Sequence, residues 1–381
     1  MADGTISETW DQQSGPDIVG ARLDIDLAAL ADNWRHLAKQ SGPATCGAAV
    51  KADAYGLGIA PAGRALAAAG CETFFVSQAA EGLALRQAVG PDCTIYILNG
   101  PLESALPAYR QAHLSPVIND LGQLALWRDN AATIGTRAAL HLDTGMQRLG
   151  LSNSDCATLQ AEGFNAAEYG IGLVMSHLAN ADQPDPTDAL AQNRLFEDQI
   201  DRLGRGALKQ SLCNSAGVSH CRQHDELAHD ITRPGIALYG VQPYRGANLK
   251  LKSTVKLSAQ IVQIRAVPAG CPIGYGGAHK VTRDSVIATL PVGYGDGYIR
   301  ALSHAGLVDI DGHVAPVVGR VSMDLISIDV TDVPPALVQQ GSPVTLIGGK
   351  ASLEILAHQA GTIPYELLTG LSHRIPRFYS A

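Results

Sequence analysis

The segment CGAAVKADAYG at residues 46–56 joins a short apolar run to an amine and, four residues later, a phenol. The run from Cys46 to Val50 is too short for a helix and predicts a strand buried on both faces, as in a parallel sheet. Lys51 then stands where this strand leaves the sheet. Burial there lowers the pKa of an amine and frees it to act as a nucleophile or base. Many lysines at strand ends instead keep the amine in water, so Lys51 alone does not decide between the two.

Short apolar runs alternate with amphipathic stretches from residue 21 to about residue 240. Residues 27–39 carry apolar side chains at helical spacing, and helical stretches also separate the later apolar runs. These runs predict strands at residues 73–76, 94–98, 114–118, 138–142, 170–176 and 211–213. About eight strand-helix units in roughly 220 residues match a closed (β/α)8 barrel of the TIM type. We therefore predict an α/β fold with this barrel at residues 21–250.

Beyond Lys250 the hydrophobic pattern changes to a period of two. Residues 255–261 alternate between apolar and polar side chains, which predicts a half-buried strand. Residues 307–318 hold Asp311-Gly312 between apolar flanks, a pattern typical of a β-hairpin. The sequence thus predicts a mostly antiparallel C-terminal β domain at residues 251–381. The polar, acidic residues 1–20 are predicted to be a flexible tail.

Composition favours a small-molecule partner. The net charge is -8 and no dense Lys/Arg cluster occurs, which argues against nucleic acid or an anionic membrane surface. No apolar stretch reaches the ~18 residues that span a bilayer. The seven cysteines are scattered singly, which fits neither a disulfide framework nor a zinc site and predicts reduced thiols in the cytoplasm. We expect no bound metal.

Conspicuous polar residues follow the predicted barrel strands. Each has an ordinary explanation, since Asn214 fits a helix cap and Arg233 a surface ion pair. Together they predict a site, because barrel enzymes carry their chemistry on the loops at the carboxyl ends of the strands. The residues are Lys51, 143–148, His177, Asn214-Ser215 and Arg233.

Eight motifs, in order along the chain, resemble those of alanine racemase. They are VKADAYG (50–56), DTGMQRLG (143–150), SH (176–177), NS (214–215), RPGIALYG (233–240), GYG (274–276), GYGDG (293–297) and MD (323–324). The resemblance runs from about residue 20 to the C-terminus. It implies an isomerase that interconverts L-alanine and D-alanine, and hence a role in D-alanine supply for the cell wall or in alanine catabolism.

The resemblance also implies a pyridoxal 5'-phosphate cofactor, held by Lys51 as a Schiff base and serving as an electron sink. The positions that match the family's phosphate and cofactor cradle are Tyr55, Asn214, Ser215, Gly235, Ile236 and Tyr365. Arg233 matches the arginine against the pyridine nitrogen, and His177 the residue that orients it. Because arginine stays protonated, it does not leave the ring nitrogen protonated, which favours proton exchange over transamination.

Racemisation needs a proton acceptor on each face of a planar carbanion. By resemblance, Lys51 serves one face once it is freed by exchange with substrate, and Tyr275, from the second subunit of a homodimer, serves the other. Met323 and Tyr294 match partner residues that narrow the entrance to about the size of a methyl side chain. Arg148 matches the arginine near the substrate carboxylate, for which its bidentate geometry is suited.

The chain departs from the family's pattern at two positions. His141 stands where many members have a lysine, often carbamylated, that orients the arginine corresponding to Arg148. We therefore expect Arg148 to be held by another group, either a carboxylate or amide or a bound anion. Leu57 stands where a histidine often follows Tyr-Gly, and we expect this change to affect packing only.

Three alternative functions remain open at this point. The first is a racemase of the same fold that acts on serine or on a broader range of amino acids. The second is a related barrel decarboxylase, although its Glu-Pro-Gly-Arg phosphate element is absent and Arg233 replaces the expected acidic ring partner. The third is a non-catalytic pyridoxal-phosphate carrier, which resembles the barrel alone and lacks a β domain with Tyr275.

Overall fold

Residues 20–204 and 206–380 are described in the structure, which is a computed structural model. The predicted tail at residues 1–20 lies outside the described residues, except for Gly20. The described chain forms two compact units, one made of Asp26–Thr254 and the other of residues 20–25 with Val255–Ser380. Within the described residues, neither unit has a helix long and apolar enough to cross a membrane.

The first strand, β1 (Ala21–Asp26), belongs to the second unit up to Ile25, whereas the sequence predicts a barrel at residues 21–250. It pairs antiparallel with the strand that begins at Val255. Leu23 and Ile25 are buried, while Arg22 and Asp24 are partly exposed. This period of two suits a sheet that is covered on one face. The partner strand is far along the chain, so a local pattern did not reveal the pairing.

The barrel unit begins with helix α1 (Leu27–Gln40), which is capped by the Asp26 carboxylate accepting the Ala29 N–H at 2.8 Å. Eight parallel strands follow in the described residues, the first split at Gly47 into β2 and β3. The strands are β2 (Thr45–Cys46), β3 (Ala48–Ala49), β4 (Thr73–Val76), β5 (Thr94–Ile97), β6 (Ser115–Ile118), β7 (Ala138–His141), β8 (Ile171–Met175), β9 (Lys209–Ser211) and β10 (Ile231–Thr232). The helical segments between them are α2 (Lys51–Gly56), α3 (Ile59–Ala68), α4 (Ala79–Val89), α5 (Leu106–Ala112), α6 (Leu121–Ile134), α7 (Asn153–Ala161), α8 (Thr187–Leu203) and α9 (Ser215–His220).

Strands β3 to β9 form one parallel sheet in chain order, and β10 pairs with β2. On its other side, β10 is joined to the β9 region by the Asp230 N–H, which donates to the Gln210 carbonyl. The sheet therefore closes into a barrel. Its interior is packed with side chains from most of the strands, among them Phe75, Tyr96, Val117, Leu173 and Ile231. The predicted TIM-like barrel is confirmed.

The second unit contains the strands β11 (Val255–Gln260), β12 (Gln263–Val267), β13 (Pro272–Ile273), β14 (His279–Lys280), β15 (Ser285–Leu290), β16 (Leu307–Ile310), β17 (His313–Val318), β18 (Ile326–Asp329), β19 (Pro343–Ile347) and β20 (Arg377–Ser380), and the helices α10 (Leu353–Ala360) and α11 (Pro364–Thr369). Its main sheet has the order β12-β15-β18-β17-β16-β19-β11-β1-β20 in the described part of the chain. The neighbours from β12 to β1 are antiparallel. In the hairpin of β16 and β17, Asp311 and Gly312 have φ of 49° and 82°. Both values are left-handed, as a type I′ turn requires. The predicted hairpin and β domain are confirmed.

Candidate active site

The predicted site residues of the barrel unit follow the carboxyl ends of its strands. Lys51 follows β3, Arg148 lies after β7, His177 after β8, Asn214 and Ser215 after β9, and Arg233 after β10. In a closed parallel barrel these ends share one rim. The fold thus brings the barrel part of the predicted set to one mouth.

Residues 51–56 form an unusual turn directly after β3. The four non-glycine residues 52–55 have φ between 53° and 56°. A left-handed residue other than glycine costs roughly 1–2 kcal/mol, so specific contacts must stabilise the turn. Asp53 supplies two of them: its carbonyl accepts the Gly58 N–H at 2.9 Å, and its carboxylate accepts the Ile59 N–H at 2.7 Å. The backbone that follows Lys51 is therefore fixed.

Lys51 is half-buried at the barrel mouth. Burial lowers the pKa of its amine, the positive charge of Arg148 lowers it further, and the Glu81 carboxylate opposes both effects. A lowered pKa increases the fraction of neutral amine at physiological pH. The lowered pKa agrees with the expectation for a buried amine, and the reactive role of Lys51 stays a prediction.

Arg233 is buried, and its guanidinium is held by several oxygens. It donates to the Ser211 hydroxyl, to the Ser176 carbonyl and to the Leu212 carbonyl. Burial lowers its pKa to about 10, so it remains a cation at neutral pH. The geometry fixes a charged, immobile guanidinium inside the barrel mouth.

His177 contacts this arginine through a defined ring nitrogen. The Arg233 Nη2 lies 3.4 Å from His177 Nδ1. Because a guanidinium only donates, Nδ1 must carry the lone pair and Nε2 the proton. Burial lowers the pKa of His177 well below its usual value. Nearby charges lower it further, and they belong to Arg233, Lys51, Arg148 and His141. His177 is therefore a neutral acceptor that helps to orient Arg233.

A small cradle of N–H and hydroxyl groups lies beside Ser215. The Ser215 hydroxyl accepts hydrogen bonds from the Gly235 N–H at 2.8 Å and the Ala237 N–H at 3.2 Å. A Cβ on Gly235 would come within 2.3 Å of the Tyr55 hydroxyl, so only glycine fits there. Tyr55 in turn stacks on Tyr239 with ring centroids 4.5 Å apart. Converging N–H and O–H groups of this kind suit a phosphate.

Two further predicted residues flank the cradle. Asn214 caps α9 by accepting the Gly217 N–H at 3.0 Å, which places Ser215 at the first position of that helix. Ile236 is buried at the start of the short 3-10 helix Ile236–Tyr239. Both residues therefore position the backbone around Ser215 and Gly235. Leu57, one of the two departures from the family's pattern, is fully buried.

His141, the other departure, is held by Asn119. Its Nδ1 lies 2.8 Å from Asn119 Oδ1, while the Asn119 amide nitrogen donates to the Leu98 and Val117 carbonyls. The amide oxygen therefore faces the ring, so His141 Nδ1 carries the proton and Nε2 the lone pair. Burial lowers the pKa of His141 to about 4. The imidazole is thus a neutral hydrogen-bond acceptor.

Arg148 is exposed on the loop after β7. Within the described residues of the barrel unit, its guanidinium forms no ion pair and no hydrogen bond. The expectation that another group holds Arg148 therefore stays a prediction. Its charge lowers the pKa of Lys51, His141 and His177, so the region carries positive potential that suits an anionic ligand.

Four predicted residues lie in the β unit and are exposed there. Their exposed fractions are 72% for Tyr275, 43% for Tyr294, 53% for Met323 and 39% for Tyr365. Two of them are on adjacent loops, because the Tyr294 N–H donates to the Ser322 carbonyl and the Gly295 N–H to the Met323 carbonyl, each at 2.9 Å. The β unit thus presents Tyr294 and Met323 together.

Arg374 braces these two loops and was not identified from the sequence. Its guanidinium bonds both carboxylate oxygens of Asp296, at 2.7 and 2.9 Å, and one of Asp324, at 2.9 Å. Asp296 lies two residues after Tyr294, and Asp324 lies directly after Met323 in the chain.

Two more residues near the predicted site, Asn119 and Glu81, were also not identified from the sequence. Glu81 stands three residues after Gln78 in a capping-box pattern, which indicates a helix start but not a neighbour of Lys51.

Comparison with known proteins identifies related sequences over nearly the whole chain. Residues 25–243 match the family model described as "Alanine racemase, N-terminal domain", and residues 254–379 match "Alanine racemase, C-terminal domain". A protein of Methylobacterium nodulans named alanine racemase is 43% identical over 362 residues, covering 94% of this chain and 96% of that protein. One of Rhodospirillum rubrum with the same name is 40% identical over 362 residues, with the same coverage of 94% and 96%.

A solved structure is also similar in fold. It is the crystal structure of alanine racemase from Bartonella henselae with covalently bound pyridoxal phosphate. The TM-score is 0.88 at 36% sequence identity, and the match covers 95% of this chain and 100% of that one. The similarity therefore extends over both units of the fold.

Proposed function

Because the chain belongs to the alanine racemase family, we propose that it interconverts L-alanine and D-alanine with pyridoxal 5'-phosphate as its cofactor. The observation that carries this proposal is the half-buried Lys51, whose pKa is lowered, at a barrel mouth that also holds a buried arginine. An amine in this state is suited to bond covalently to a carbonyl group and to accept a proton.

The barrel mouth fits the cofactor. Ser215, Tyr55 and the N–H groups of Gly235 and Ile236 would hold the phosphate, with the Gly235 N–H exchanging the Ser215 hydroxyl for a phosphate oxygen. Asn214 would fix the start of α9, and Tyr365 would complete the cradle. Lys51 would hold the carbonyl carbon covalently. Arg233, oriented by His177, would face the ring nitrogen. When bound, the cofactor supplies an electron sink that stabilises negative charge on the substrate Cα.

Two side chains would move the proton. Lys51 Nζ, once the substrate's amino group has displaced it from the cofactor, would accept or return the proton on one face of the substrate Cα, which its lowered pKa favours at neutral pH. Tyr275 Oη would do so on the opposite face. A planar carbon that can be protonated from either side yields both enantiomers.

The remaining residues would select the substrate. Arg148 would bind its carboxylate, for which the positive potential around Lys51 and His177 is suited. Tyr294 and Met323, held on loops braced by Arg374, would limit the side chain to about a methyl group. A narrow entrance of this kind favours alanine over serine and larger amino acids.

We also propose a cytoplasmic homodimer. Tyr275, Tyr294 and Met323 are large side chains that remain exposed in the single chain. Tyr294 and Met323 lie on adjacent loops, and exposed apolar side chains that lie together mark a binding surface. Each partner would lend these residues to the other's barrel. The seven cysteines are all free thiols, which suits a reducing compartment.

The direct test is the optical activity of substrate. With purified protein and added cofactor, we expect the circular dichroism of L-alanine and of D-alanine each to decay to zero, and L-serine and L-lysine to change far more slowly. Faster decay with serine or lysine would indicate a racemase of broader specificity. Release of carbon dioxide would indicate a decarboxylase, and no change in any substrate would contradict catalysis.

A further inference from the structure

We propose that Glu81 is a positioning residue for Lys51. It ties the backbone directly after the lysine to the start of α4, and it places a negative charge near the amine. The inference rests on one part of the proposed function, namely that Lys51 is the reactive amine. Glu81 lies in the first turn of α4 (Ala79–Val89) and is partly exposed.

One carboxylate bonds three backbone N–H groups from two segments. Glu81 Oε1 accepts the Ala52 N–H at 2.6 Å, and Oε2 accepts the Ser77 N–H at 2.7 Å and the Gln78 N–H at 3.0 Å. The last two bonds complete the N-terminal cap of α4. The first reaches a different strand-end loop, at the residue that follows Lys51.

The bond to Ala52 lies where the backbone needs support. Ala52 is the first of the four left-handed residues of the turn, with φ of 53°, and the Asp53 bonds described above anchor the turn toward Gly58 and Ile59. Glu81 is the anchor at its other end. Hydrogen bonds to an ionised carboxylate are shorter and stronger than neutral ones, so this contact fixes the direction in which the chain leaves Lys51.

The same carboxylate acts on the amine by charge. Among the groups near Lys51, burial and the Arg148 cation lower the pKa of the amine, and Glu81 raises it. His177 also faces Lys51 and is neutral, because its own pKa is lowered. Removal of the Glu81 charge should therefore lower the pKa of Lys51. Loosening of the turn without loss of charge should expose Lys51 and raise that pKa instead.

These opposite directions allow a decisive measurement. Full-length protein freed of cofactor is treated with acetic anhydride at a series of pH values, and acetylation of the peptide that contains Lys51 is followed by mass spectrometry. Glu81→Gln removes the charge and keeps one of the two acceptor oxygens, since the amide nitrogen only donates. We expect the loss of charge to move the midpoint of Lys51 labelling to lower pH. The exposed Glu162→Gln serves as the matched control and should leave the midpoint unchanged.

Turnover tests the positioning itself. We expect Glu81→Ala, which removes every acceptor, to lower kcat by about 100-fold, the scale of a misplacement near 1 Å. KM for alanine should change little, because other residues bind the substrate. Glu81→Gln should lie between Glu81→Ala and the wild type in kcat.

Two results would overturn the inference: a Lys51 labelling midpoint that stays in place in Glu81→Gln, or wild-type kcat in a folded Glu81→Ala. The labelling reads Lys51 whether or not the protein acts on alanine. A shifted midpoint in a protein without racemase activity would therefore reject the proposed function and retain the role of Glu81. Racemase activity with an unmoved midpoint would do the reverse.

Discussion

Mixing two inactive variants, Lys51→Ala and Tyr275→Ala, is expected to restore racemase activity. In the proposed dimer, each variant homodimer would lack one of the two proton acceptors at every site, and Lys51→Ala would also lose the covalent hold on the cofactor. We expect kcat to fall at least about 1,000-fold in each, at the upper part of the range for acid-base groups. A mixed dimer with sites shared between subunits contains one site with both residues intact and one with neither.

Recovery is measured after subunit exchange at equal concentrations, with exchange verified by native mass spectrometry. Random pairing makes half of the dimers mixed, so activity should rise to about a quarter of the wild-type value. Each variant exchanged with itself serves as the control and should stay inactive. Absence of recovery despite verified exchange would place Lys51 and Tyr275 of one site in the same chain.

Tyr275→Phe is expected to slow removal of the α-proton from L-alanine much more than removal of the α-proton from D-alanine. The substitution keeps the ring and removes only the hydroxyl, so the protein should fold and bind substrate normally. In deuterated water, α-proton exchange from L-alanine should fall by about 100-fold or more, as for loss of a general base. Exchange from D-alanine, which Lys51 would serve, should change far less.

The measurement is the rate of deuterium incorporation into each enantiomer, followed by nuclear magnetic resonance. Tyr379→Phe, on another exposed tyrosine of the β unit, provides the matched control and should keep both rates. Equal losses for both enantiomers in Tyr275→Phe would indicate a base shared between the faces or supplied by solvent, and would contradict the division between Lys51 and Tyr275.

The barrel and its mouth were predictable because they depend on local patterns. Apolar runs of strand length alternate with helical stretches, and the polar residues after those runs share one rim once the strands are parallel and closed. The Asp311-Gly312 hairpin was predictable for the same reason, since a two-residue type I′ turn has its own sequence signal.

Features that depend on distant partners were not predictable. The strand β1 joins the β unit because its partner β11 lies beyond the whole barrel. The left-handed residues 52–55 contradict their intrinsic preference and are held partly by Glu81, from another segment. The protonation of His141 follows from Asn119, whose amide is fixed by two carbonyls. No spacing in the sequence indicates such contacts.

The claim that Lys51 holds the cofactor is tested most directly by reduction and peptide mapping. Purified protein with bound pyridoxal 5'-phosphate is treated with borohydride, digested, and searched for lysines that carry the pyridoxyl group. We predict the label on Lys51, and its loss in Lys51→Ala. A label on any other lysine, or no label in protein that racemises alanine, would contradict the account.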